Sequence, residues 1–168
     1  MTDVDRTEFL RYADRALDAL ARIVADLGDE IANRSPELPG ANSPYQILTH
    51  CLGVVEWWIG HVIAERTVPR DRAAEFTAAG PVDDLVARVA EVKRTLRSDL
   101  EKWVPGRVVH PERRSWIPAD VPMTHETVLL HVLEELYQHL GHLEITRDVL
   151  RAAPAGAAQD NAGITDSP

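Results

Sequence analysis

Residues 42–58 read NSPYQILTHCLGVVEWW. Ser43 followed by Pro44, with Gln46 three places after the serine, is a helix start. The serine can accept from the backbone of the third helical residue, the glutamine can return the bond, and proline at the first helical position gives up an N–H that would have had no partner. Beyond it Ile47, His50, Val54, Trp57 (or Trp58) and His61 recur at helical spacing, so the reading is one amphipathic helix to about Arg66, closed by Val68-Pro69. The run from Ile47 to Ala64 is the most apolar in the chain, but His50, Glu56 and His61 interrupt it, and a membrane span needs about 20 mostly apolar residues. It reads as a buried helix of a soluble domain, with no membrane partner.

Three more blocks carry the same period. The first runs from about Asp5 to Ala32, with Phe9, Leu10, Ala13, Leu17, Leu20, Ile23 (or Val24) and Leu27 inward, and Ser35, Pro36, Pro39 and Gly40 break it. After Gly80-Pro81 the third spans roughly Val82 to Trp103 on the stripe Leu85, Val89, Val92, Leu96 and Leu100. A connection rich in proline (Pro105, Pro111, Pro118, Pro122) leads to the fourth, from about Thr124 to Arg151, with Val128, Val132, Leu136, Leu143 and Val149 inward. No strand-like alternation of useful length intervenes. The fold class is therefore all-α, a four-helix bundle over residues 1–151, with a flexible tail over 152–168 rich in small residues, Gly and Pro.

At 168 residues, 45% of them hydrophobic and 27% charged, the chain has the balance of one globular domain with its own core. A formal net charge of −9 argues against nucleic acid, whose backbone is bound mainly through basic contacts. The single cysteine, Cys51, leaves no internal disulfide, and the acidic opening MTDVDRTEF does not read as a secretory signal; a cytoplasmic location is expected.

The chemistry sits in residues 131–150, HVLEELYQHLGHLEITRDVL. Glu135 and His139 stand four apart, one above the other on a helix, about 6 Å along the axis. With His50 facing them from the second helix, they offer a carboxylate and two imidazoles to one cation and leave other positions open, as catalytic sites do. A carboxylate on an apolar stripe needs a partner, and either a metal or an arginine would serve. Each histidine taken singly is more readily a hydrogen-bonded core or surface residue. His142 and His131 flank the pair and could replace a ligand, orient one, or carry a proton. His61, about 16 Å from His50 by helical rise, does not reach the same ion. Cys51, adjoining His50 but turned away by about 100°, reads as a small buried side chain rather than a nucleophile. Arg107, Arg113 and Arg114 lie with Trp116 in the long connection, as solvated charges or as a clamp for an anionic substrate.

These two stretches resemble the motif helices of the DinB-like superfamily of four-helix metalloproteins. The Glu-x-x-x-His form resembles the actinobacterial branch that contains the amino-terminal domain of mycothiol-dependent maleylpyruvate isomerase. The direct match covers roughly forty residues, and helix order and length extend it to about residue 151. By motif position the resemblance implies His50, Glu135 and His139 as metal ligands, with zinc the usual metal, and by analogy a homodimer; the His and Glu donors themselves suit nickel and iron as well. Many members carry histidine where Glu135 stands, so the acidic ligand favours a branch without fixing a substrate. At 168 residues the chain is expected to be too short to hold the isomerase's second domain as well.

The expected activity is a metal-dependent transfer of a low-molecular-weight thiol, mycothiol or a relative, to a small electrophile. His142 is the expected general acid or base, and Trp57 the expected wall of the thiol pocket. Hydrolysis by metal-bound water, iron–oxygen chemistry, and a non-catalytic metal-binding or interaction bundle are the rival readings.

Overall fold

The structure is a computed structural model that describes residues 5–110, 118 and 120–152. Helix α1 (Arg6–Ala32) is followed by α2 (Pro44–Val55), which continues without a break as a π-helical segment, Glu56–Ile63. A single-turn helix, α3 (Arg72–Glu75), lies in the connection to α4 (Val82–Asp99), which ends in a 3-10 turn, Leu100–Lys102. Two-residue strands β1 (Val108–Val109) and β2 (Met123–Thr124) pair antiparallel and deliver the chain to α5 (His125–Ala152).

Four long helices thus make the bundle, as the periodicity requires. Cross-helix bonds set their directions. Tyr137 Oη donates to Tyr12 O, and Arg34 Nη2 donates to Leu150 O at the far end, so α1 and α5 run parallel. Lys93 reaches Asp18 near the middle of α1 while Val82 N donates to Asp29 Oδ1 near its end, so α4 runs antiparallel to α1. Glu56 takes Arg88, and Arg66, just past the end of the π-helical segment, takes Asp99, so α2 runs parallel to α4. The order is up, down, down, up, and the connection carrying α3 is the long crossover between the two parallel neighbours.

The stripes read from the sequence form the core. Of their residues Phe9, Leu17, Leu20, Ile47, Leu96 and Leu100 are fully buried, and Leu48, Leu52 and Leu129, which the stripes did not include, are buried with them. Val149 departs from expectation: it is 40% exposed, and Thr146 and Leu150 take the inner positions of the last turns. Helix α1 is also not continuous. Gly28 adopts φ +66°, ψ 174°, which redirects the chain so that Asp29 caps α4 and Asn33 bonds Gly80 through both its amide groups.

Helix α2 starts as expected, with the reciprocal Ser43–Gln46 capping bonds and Pro44 at the first position. Its end differs. From Glu56 the turns widen, with Ala64 N donating to Ile59 O five residues back, and Glu65 at φ +58° terminates the helix just short of Arg66. Among the described residues no helix is long and apolar enough to cross a membrane. The expected tail, apart from Ala152 at the end of α5, lies outside the described residues, as do Arg113, Arg114 and Trp116.

Candidate metal centre

Where α2 faces the middle of α5, three side chains converge. His50, 3% exposed, turns Nε2 toward Glu135 Oε2 at 3.6 Å, and His139 brings its own Nε2 to within 3.4 Å of the same oxygen. One ligand atom from each residue lies within 4.8 Å of the other two. Zinc bonds to nitrogen and oxygen are about 2.0–2.2 Å, so adjacent ligand atoms of a tetrahedral ion stand about 3.4 Å apart. Two of the three edges already have that length. Oxygen and nitrogen donors in this ratio suit zinc, nickel and iron. The His50 and His139 rings meet edge-on, 4.8 Å between centroids at 76°.

The electrostatics fit a cation site. Glu135 lies well below the ordinary carboxylate range because His139 and His50 hydrogen-bond to it, which outweighs its partial burial. Burial disfavours charge on His50, yet the carboxylates of Glu135 and Glu75 prevail and its pKa is raised. Glu135 therefore finds imidazoles, not the arginine that could have satisfied it. Among the described residues, His139 Nδ1 is buried with no hydrogen-bond partner.

A residue the sequence reading missed stands behind His50. Glu75, at the end of α3, accepts from His50 Nδ1 at 2.7 Å through Oε2, and Arg70 Nε donates to its Oε1 at 2.6 Å. Burial would lift Glu75, but His50 and Arg70 hold its pKa down. The signal available in sequence was a lone glutamate in a four-residue helix, too short to show a period.

His131 is buried on α5 with Nε2 3.7 Å from Glu135 Oε1, the oxygen turned away from His50 and His139. Burial lowers its pKa despite Glu135 and Glu134, and Trp58 meets its ring edge-on at 4.9 Å. Trp57 packs against Trp58 and His61, so the two tryptophans reach the cluster through Trp58. His142 is exposed at the rim, its ring 6.0 Å from that of His139, and burial and His139 both lower its pKa. His61, exposed at the other end of α2, bonds Arg66 O and does not join the centre. Cys51 is fully buried and its thiol is pushed far up by burial, the condition of an inert structural cysteine. Arg107 is exposed and paired with Glu65 at 2.6 Å.

The family model described as mycothiol-S-transferase matches residues 8–152, from the first turn of α1 to the end of α5. The chain belongs to that family. As a mycothiol S-transferase family member it carries the DinB-like bundle that the motif helices indicated. Among solved structures it is similar to a conserved protein from Enterococcus faecalis, at 15% identity and a TM-score of 0.68, covering 91% of this chain and 100% of that one, a likeness of fold. No curated protein matches.

Proposed function

We propose that the protein is a metal-dependent transferase that joins a low-molecular-weight thiol of the mycothiol type to a small electrophilic molecule. The observation that carries this is the convergence of two imidazole nitrogens and one carboxylate oxygen within 4.8 Å, in a chain of the mycothiol S-transferase family. His50, Glu135 and His139 would hold the cation. The chemistry it supplies when bound is deprotonation of a coordinated thiol, whose free pKa is near 8.5.

The remaining roles belong to the chain's own groups. Glu135 presents Oε2 to the position it shares with His139, while Oε1 lies on the His131 side. His142 stands at the rim, where burial and the neighbouring His139 lower its pKa and disfavour its charged form. Its imidazole nitrogen can take the proton a thiol gives up and return it to the product, the role of a general base and acid. The Trp57–Trp58 pair, through its contact with His131, walls one side of the cluster.

The test compares metal content and turnover in wild type and His139→Ala. Wild type should carry near-stoichiometric divalent metal and consume a small electrophile only when mycothiol or a related thiol is present. The variant should lose most of the metal and at least about 100-fold in rate, the scale on which removing a catalytic electrostatic contact is felt. Consumption that ignores the thiol would replace the transferase reading with a hydrolase, and unchanged metal in His139→Ala would remove His139 from the site.

A further inference from the structure

The crossover between α2 and α4 brings more than a connection to the centre. Glu75 touches the edge of His50 opposite the one that faces Glu135, and both its oxygens accept: Oε1 from Arg70 Nε at 2.6 Å, Oε2 from His50 Nδ1 at 2.7 Å and Arg70 Nη2 at 3.0 Å. The next residue, Phe76, stacks on the His50 ring at 4.9 Å and 29°. Room for this arrangement comes from Gly53, one turn after His50. A Cβ there would fall well inside contact distance of Glu75 Oε1 and 2.9 Å from its Cδ.

We propose that Glu75, braced by Arg70 and admitted by Gly53, is a positioning residue that fixes the ring and tautomer of His50 for metal ligation, so that α3 is part of the centre. The inference rests on the metal reading and deepens it. Glu75 is 7% exposed, and burying an ion pair costs desolvation that an apolar pair of the same size would avoid. A buried pair of this kind is a weak source of stability, so its placement points to what it aims. A carboxylate accepting from Nδ1–H obliges neutral His50 to keep its lone pair on Nε2, the atom that faces Glu135. A partner of this kind both orients a ligating imidazole and makes it more basic. Without it the ring is free to turn, or to place its proton on the ligating nitrogen.

The experiment has two readouts. Zinc alone is titrated against a competing chelator, and imidazole nitrogen NMR of the zinc-free protein at alkaline pH reports the His50 tautomer. Wild type should show Nδ1–H at His50. Glu75→Ala should bind zinc about 10- to 100-fold more weakly and lose that tautomer. Glu75→Gln should recover part of both, since an amide oxygen still accepts from Nδ1–H, and Gly53→Ala should act in the same direction as Glu75→Ala. Should Glu75→Ala fail to fold by circular dichroism, Glu75→Gln and Gly53→Ala decide the matter. Wild-type affinity in Glu75→Ala and Gly53→Ala would overturn the proposal, as would weakened binding with the His50 tautomer unchanged. A wild type that binds no zinc would sink the metal reading alone, and the tautomer would still decide whether Glu75 holds His50.

Discussion

Glu135 and His139 could be found from the sequence because a helix turns a spacing of four into a stack, and His50 because its own helix announces its start and its face. Glu75 had no such marker: what makes it part of the centre is a contact across 25 residues, created by how the crossover folds back. Glu126 shows the same limit at a smaller cost. In the first turn of α5 its Oε1 accepts from Gly106 N at 2.7 Å, tying the β1 loop to the helix start. Burial alone would raise its pKa, but the Gly106 N–H, backbone N–H at the helix start and the Thr124 hydroxyl lower it. A carboxylate depressed in the folded state stabilises above its unfolded pKa of about 4.3, and the contribution fades as pH falls through the folded value. Glu126→Gln is expected to cost about 0.5–1 kcal/mol at neutral pH, the worth of a largely exposed charged bond beside a helix dipole. Urea midpoints of the two proteins should converge once the pH is low enough to protonate Glu126. A gap that persists unchanged into acid would mean that charge is not the source.

Elements were legible where a local rule sets them and illegible where a distant group does. The Ser43–Gln46 capping box places the start of α2 to the residue, because every bond involved lies within four positions. Its end cannot be read that way. The π-helical turns of Glu56–Ile63 shift the phase of the stripe, which is why His61 falls on the exposed side although its spacing matches the inner face. Just beyond, Arg66 forks onto Asp99 at the end of α4, Nε to Oδ1 and Nη2 to Oδ2 both at 2.8 Å. Asp99 raises the Arg66 pKa, and Gly60 makes the approach feasible, since a Cβ there would collide with Arg66 Nη2. Gly60→Ala is therefore expected to dislodge the guanidinium and destabilise by about 1–3 kcal/mol, less than a fully buried pair because Arg66 is partly in water. In an Arg66→Ala background the same change should cost close to nothing. A double-mutant cycle by denaturant unfolding measures this coupling, and simple additivity would show that the glycine serves something other than the ion pair.

At the scale of the whole molecule, four amphipathic stripes specify a bundle but not its arrangement. That α1 and α5 run parallel follows from the crossover that returns α4 beside α2, and no stripe encodes which neighbour a helix chooses. The arrangement matters because the ligands come from antiparallel partners, His50 on α2 and Glu135 with His139 on α5, so a bound cation clamps two elements far apart in the chain. Whatever binds only the folded state raises its stability, by about 2.7 kcal/mol when free ligand is 100 times its dissociation constant. The thermal midpoint should rise with saturating zinc and return on chelation, while His139→Ala stays near the metal-free value. The size of that rise depends on pH in a direction the site dictates. The His50 pKa is raised by Glu135 and Glu75 against its burial, so the metal-free fold gains from protonated His50 below the unfolded value of about 6.5 and loses that gain as pH climbs through the folded one. Metal needs the same nitrogen deprotonated, so its affinity increases over that interval and binding releases a proton. The separation between zinc-loaded and metal-free midpoints should accordingly widen from mildly acid to mildly alkaline buffer. Proton uptake or release on zinc titration, followed in buffers of different ionisation enthalpy, gives the sign independently. Release that vanishes at alkaline pH fits His50 as a ligand, whereas a midpoint gap flat with pH would exclude it.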